Sequence, residues 1–167
     1  MSLLNLDDIK SFLPHRDPFL FIDSVEEITL PEGLDIQTLE INQYKPLLGG
    51  LVEANFEVKE SLNCFQGHFP GNPVFPGVLQ IEMMAQASAF LMTACKQYQV
   101  KDTEIEVAFL RVDQARFRKM VVPPMSLKIT AKLTKVRGLI CQFDCQIFHK
   151  DQIISEAGIM ASLKFKR

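Results

Sequence analysis

Between residues 78 and 99 the chain reads VLQIEMMAQASAFLMTACKQYQ, a helical run whose apolar side chains point almost all the way round, interrupted by Gln80, Glu82, Gln86 and Ser88. A helix without a polar face cannot rest on a surface, so the rest of the chain must enclose it. It is too often broken by polar groups to serve as a membrane span, which takes roughly 20 apolar residues in succession. The material for an enclosing wall lies downstream. Leu127, Ile129, Ala131 and Leu133 alternate with Lys128, Thr130, Lys132 and Thr134; Leu139, Cys141, Phe143, Cys145 and Ile147 follow, then Ile153, Ser155, Ala157, Ile159, Ala161 and Leu163. That period of two predicts strands with one buried face, and the short turns VRG near 137 and HKDQ near 150 predict antiparallel neighbours. With a further strand at 105–118, the reading is α+β: one long central helix wrapped by an antiparallel meander.

Upstream, LDDIKSFLP predicts a short amphipathic helix with Leu6, Ile9, Phe12 and Leu13 on one face, ended by Pro14. Residues 19–30 and 51–58 read as strands. Residues 31–50 carry a weak pattern, with PEG and LLGG as breakers around a candidate strand at 35–41. At 167 residues the chain has the length of a single domain, taken as 1–167. A net charge of -2 gives no global reason to expect nucleic acid, and the N-terminus lacks the basic start and apolar stretch of a secretory signal, so a cytoplasmic protein is expected. Cys64, Cys95, Cys141 and Cys145 form no CxxC pair, and three histidines are too few to complete a zinc site convincingly; the thiols are read as reduced, small hydrophobes. Cys141 and Cys145 share a strand face but lie too far apart along it to bridge.

Just before the central helix stands GHFPGNPVFPG, residues 67–77. Glycines and prolines around His68 limit the backbone and fix the aim of the imidazole, which in its neutral form takes up a proton near pH 7. Pro76 suits a helix start, and the free N–H groups of the first turn, at the positive end of the helix dipole, can hold an oxyanion that approaches closely at Gly77. Glu82 follows about one turn later. Burial among Val78, Ile81, Met83 and Ala85 is expected to raise its pKa and make it a proton donor. A base, an acid and an oxyanion-binding helix end are the parts needed to remove a proton alpha to a carbonyl and expel a beta leaving group, or to run that elimination backwards as a hydration. Each part has a plainer reading as well: His68 as a hydrogen-bonded core residue, and Glu82 as a carboxylate satisfied by Gln86 one turn on.

The blocks LPHRDPFLFIDSVEEI, GHFPGNPVFPGVLQIEMMAQ and VDQARFRKMVVP, with the later EAGIMASL, resemble in that order the signature blocks of the β-hydroxyacyl-acyl-carrier-protein dehydratases of FabZ type. The resemblance implies a hot-dog fold, a long helix held in a curled antiparallel sheet. It also implies a homodimer, in many members three dimers forming a hexamer, with each active site built at the interface. By motif position His68 matches the catalytic histidine and Glu82, from the partner chain, the catalytic glutamate. Gly77 and Val78 fall where backbone N–H groups hold the thioester carbonyl, while Pro14, His15, Phe69, Pro70 and Pro76 look like wall of the substrate tunnel. The acyl group would arrive on the phosphopantetheine of acyl carrier protein, so neither metal nor redox cofactor is implied. That carrier is acidic, and Arg111, Arg116, Arg118 and Lys119, with Lys96 and Lys101, are the candidate docking cations.

Two departures from the family pattern stand out. Residues 31–50 exceed the usual link between the first strands, and Pro123-Pro124-Met125 replaces the customary Pro-Gly-Asp turn. Neither touches His68 or Glu82. Two rival functions remain at this point: a hot-dog thioesterase, whose carboxylate would activate water and release free acid, and a non-catalytic acyl-binding subunit.

Overall fold

The computed structural model of the chain describes residues 2–36, 39–40, 42–94 and 104–166. The first helix, α1 (Leu6–Phe12), begins at a reciprocal cap: the Asn5 side chain accepts from the N–H of Asp7 and Asp8, and the Asp8 carboxylate accepts from the N–H of Asn5. It buries Ile9 and Phe12, with Leu13 just beyond, as its spacing predicts, whereas Leu6 in its first turn stays exposed; Phe12 packs on Phe90 with ring centroids 5.2 Å apart.

Six strands form one antiparallel sheet: β1 (Ser24–Thr29), β2 (Leu51–Val58), β3 (Glu104–Phe117), β4 (Met125–Arg137), β5 (Ile140–His149) and β6 (Gln152–Lys166). Their order is β1-β2-β4-β5-β6-β3. The expected meander is therefore β4-β5-β6, closed by hairpins at Gly138 and Lys150, both with positive φ. Strand β2 joins the near side of β4, whereas β3 crosses to the outside of β6 and leaves its other edge unpaired. The alternation holds through β4 and β5 and from Ser155 onward in β6, while a register shift at the start of β6 buries Ile154 in place of the expected Ile153. Leu127, Ile129, Ala131, Leu133, Phe143, Ile147, Ile159 and Leu163 are all buried on the inner face.

That face holds α2 (Gly77–Ala89), which continues as a turn of 3-10 helix over Phe90–Ala94. Met83, Met84, Ala87, Phe90, Leu91 and Met92 are fully enclosed. The polar interruptions are satisfied individually: Ser88 Oγ donates to the Met84 carbonyl at 2.8 Å, and the Gln80 side-chain oxygen Oε1 accepts from Ser155 Oγ of β6 at 2.7 Å. The expected α-helix thus tightens at Phe90 instead of running to Gln99. Back-bonding hydroxyls flank the change, Ser88 before it and Thr93, which donates to the Phe90 carbonyl, within it. Residues 95–99 lie outside the described residues.

Two expectations fail upstream. The first strand starts at Ser24, not at 19, because Gln86 bonds the Phe19 carbonyl and the Phe21 N–H and so diverts them from a ladder. No strand forms at 35–41 among the described residues, three positions of that stretch lying outside them. The segment instead buries Leu39, Tyr44 and Leu47, and Tyr44 Oη donates to the Leu163 carbonyl at 3.1 Å. Cys141 and Cys145 are buried free thiols, each pushed up to about 12 by that burial, and Cys64 is half-buried; Cys95 lies outside the described residues.

Candidate active site

His68 follows a 3-10 turn (Asn63–Gln66) and is fixed from several sides. Its N–H donates to the Cys64 carbonyl at 2.9 Å, its own carbonyl accepts from Val74 at 3.0 Å, and Phe69 and Asn72 exchange backbone bonds across the loop. The Phe69 ring stacks on the imidazole at 4.0 Å between centroids. Nδ1 lies 2.7 Å from the Val74 carbonyl oxygen. A carbonyl only accepts, so Nδ1 carries the proton, and Nε2 is left with a bare lone pair when the ring is neutral. That is the tautomer a general base requires.

Phe75 donates its N–H to the Val121 carbonyl and packs with Phe21, Phe56 and Phe65, which seats the loop as it enters α2. Pro76 caps that helix, and its carbonyl takes the N–H of Leu79 and Gln80. The N–H groups of Gly77 and Val78 have no partner among the described residues, as the first turn of a helix dictates. Phe117, at the end of β3, lies across this helix start: a Cβ on Gly77 would stand 2.9 Å from its ring. Glycine admits that approach without displacing the ring. Phe117 was not among the residues singled out from the sequence, and nothing in the ARFRK pattern marks which ring meets the helix.

Glu82 sits on the next turn of α2, half-buried. One carboxylate oxygen, Oε1, accepts from Gln86 Nε2 at 2.9 Å and lies 3.3 Å from His15 Nε2. Gln86, itself buried, also donates to the Phe19 carbonyl at 2.8 Å and accepts from the Phe21 N–H at 2.9 Å. The expected rise in the Glu82 pKa is overturned. The His15 contact holds the carboxyl below the usual range, Gln86 adds to that effect, and burial opposes both without prevailing.

The site residues fall into two groups. Exposed Phe69 stacks on His68 and is followed by exposed Pro70; half-buried His15 lies against Glu82 and is preceded by exposed Pro14; Pro76 marks the helix start. No hydrogen bond or ion pair joins His68 to Glu82 within one chain. The candidate docking cations are already engaged: Arg111 with Asp113 at 2.6 Å, Arg116 and Arg118 with Glu156 at 3.6 and 2.6 Å, and Lys119 with Gln152. Lys96 and Lys101 lie outside the described residues. An open groove of about 1000 Å³ over the outer sheet face takes in Arg111, Asp113, Lys128, Lys132, Asp144 and Glu156 but neither His68 nor Glu82. Among the described residues no cluster of three or more His, Cys, Asp or Glu is placed to hold a metal ion, and no helix is long and apolar enough to cross a membrane.

A family model described as FabA-like domain matches residues 13–158. The bifunctional enzyme LpxC/FabZ of Chlorobaculum tepidum is 36% identical over 165 residues, covering 99% of this chain; the chain spans 31% of that enzyme's length. The 3-hydroxyacyl-acyl-carrier-protein dehydratase FabZ of Anaplasma phagocytophilum is 35% identical over 90% of this chain and 91% of its own length. That of Syntrophobacter fumaroxidans is 32% identical over 96% and 94%. Among solved structures, the dehydratase heterocomplex ApeI:P from Xenorhabdus doucetiae aligns with TM-score 0.63 and 16% identity over 92% of this chain and 89% of that one. A point mutant of the fluoroacetyl-CoA-specific thioesterase FlK aligns with TM-score 0.54 and 14% identity over 70% and 86%. Dehydratase and thioesterase thus share this hot-dog fold, which by itself does not separate their chemistries.

Proposed function

The chain belongs to the FabA-like domain family, and from that premise we propose that it dehydrates (3R)-3-hydroxyacyl thioesters of acyl carrier protein to trans-2-enoyl thioesters in fatty acid biosynthesis. His68 Nε2 removes a proton from C2. The thioester oxygen, gaining negative charge, meets the N–H groups of Gly77 and Val78 at the start of α2. The C3–O bond breaks, and Glu82 of the partner chain supplies the proton with which the hydroxyl leaves as water. Elimination transfers no net electrons, so it calls for no redox cofactor, and with His68 as base, Glu82 as acid and the helix N–H groups on the oxyanion this reading assigns no step to a metal.

The observation that carries the reading is the locked His68 ring: its Nδ1 proton is committed to the Val74 carbonyl, and the free nitrogen is the one a base uses. Glu82 must hold a proton at the moment of elimination. Substrate and partner chain covering the half-buried carboxyl strengthen the desolvation that already opposes the His15 contact, and so move Glu82 towards its protonated form.

A dimer accounts for the division of the site. Strand β3 has a free edge and exposes Val107, Phe109, Leu110 and Val112, an apolar strand of the kind that pairs with another copy. Trimerisation of such dimers is the further step in this assembly. Pro14, His15, Phe69, Pro70 and Pro76 would then line the acyl tunnel between chains, in the cytoplasm where the carrier works. Arg111, Arg116, Arg118 and Lys119, opposed by only Asp113 and Glu156 in the pairs described, form the docking patch for the acidic carrier.

Incubation with 3-hydroxyacyl carrier protein should yield enoyl product. His68→Ala and Glu82→Gln should each lower kcat by roughly 100- to 10,000-fold. Full activity in both variants overturns the roles, and release of free acid in place of enoyl thioester makes the protein a thioesterase.

A further inference from the structure

On the reading of Glu82 as the acid, we propose that His15 is its positioning residue: His15 donates Nε2–H to Oε1, fixes the plane of the carboxyl and leaves Oε2 as the oxygen that carries the transferable proton. The Nδ1 of His15 is buried without a hydrogen-bond partner, while Nε2 faces the Glu82 carboxylate at 3.3 Å. A proton on Nδ1 would bury a donor with no acceptor and would turn the bare lone pair of Nε2 towards a carboxylate oxygen. On Nε2 it meets an anion. A contact slightly longer than an ideal hydrogen bond is usual for a catalytic group before substrate closes the site.

The ring is delivered by a built support. Arg16 donates through Nη1 to the carbonyls of Leu13 at 2.8 Å and His15 at 2.6 Å, and through Nη2 to the Lys10 carbonyl at 2.8 Å, which ties the segment after α1 to that helix's last turn. On the far side, Gln86 anchors the same oxygen from α2 while gripping Phe19 and Phe21. Oε1 therefore has two donors, and a proton arriving at Glu82 goes to Oε2. The groups acting on this carboxyl are His15 and the neutral Gln86, and the guanidinium of Arg16, next to His15 in sequence, is turned onto backbone carbonyls.

This differs from a passive tunnel wall in a measurable way. His15→Phe keeps an apolar ring and removes the donor, whereas His15→Gln keeps an N–H. With Glu carboxyl carbons labelled with ¹³C, NMR should show the Glu82 midpoint moving to higher pH in His15→Phe and returning towards wild type in His15→Gln. In turnover, His15→Phe should lose kcat roughly tenfold to a hundredfold with little change in KM, and the limb of the pH–rate profile that tracks Glu82 should move the same way. An unmoved Glu82 midpoint in His15→Phe, or a loss confined to KM for long acyl chains, overturns the proposal. If His15→Phe fails to fold, the His15→Asn side chain, too short to reach Oε1, must raise the midpoint instead. The titration needs no turnover, so an inactive wild-type chain would refute the dehydratase reading while the NMR result still judged the contact.

Discussion

Gln86 makes three hydrogen bonds from a buried position, and only one of them goes to the proposed acid. The other two satisfy backbone groups that would otherwise extend the first strand. Gln86→Leu should therefore unfold at lower urea concentration than wild type, by about 1–3 kcal/mol for each buried backbone group left unpaired. Glu82→Gln leaves both backbone bonds intact and should stay close to wild-type stability. Equal losses in the two variants would show that the backbone bonds are not what Gln86 contributes. The sequence marks Glu82 and Gln86 as a polar pair one turn apart in a greasy helix, and that pairing is present. It does not mark the direction of the Glu82 shift, because the neighbour with the largest effect on it, His15, lies 67 positions away. His68 divides in the same way: its rigid surroundings are legible in GHFPGNP, but its tautomer depends on how the loop brings the Val74 carbonyl to Nδ1.

At the scale of elements, the start of α2 is where loop, helix and β3 meet. Gly77→Ala places a methyl group 2.9 Å from the Phe117 ring, which is half exposed and can swing aside. Its displacement should disturb the proposed oxyanion-binding end of the helix more than the core. We expect roughly a tenfold loss in kcat/KM with little change in thermal unfolding, and non-additivity when Gly77→Ala is combined with Phe117→Leu, as contacting residues show. Strictly additive losses would disprove the contact as the cause. Strands β4 to β6 are readable from sequence because each has one buried face and simple hairpins. Residues 31–50 are not, since Leu39, Tyr44 and Leu47 enter the core from backbone without a strand or α-helix period, held at long range by the bond from Tyr44 to Leu163 and those of Gly49 and Gly50 with Leu133. The crossing of β3 to the outside of β6 is likewise a matter of pairing at long sequence separation, invisible to periodicity.

For the whole molecule, one chain presents the proposed base and the proposed acid without a bond between them, and it leaves the apolar outer edge of β3 unpaired. Both facts have one explanation if two copies pair through β3 and each lends Glu82 to the other's His68. Mixing tests this directly. A His68→Ala chain and a Glu82→Gln chain are each inactive alone, yet a dimer of one with the other contains one site with both catalytic residues intact and one site with neither. Random exchange of subunits makes half the dimers mixed, so the refolded mixture should recover about a quarter of wild-type activity. A third chain carrying Phe109→Lys and Val112→Lys on the β3 edge should remain monomeric in sedimentation and restore nothing, because charge on an edge strand blocks its pairing. No recovery from the first mixture, with mixed dimers demonstrably present, would place both groups of a working site in a single chain.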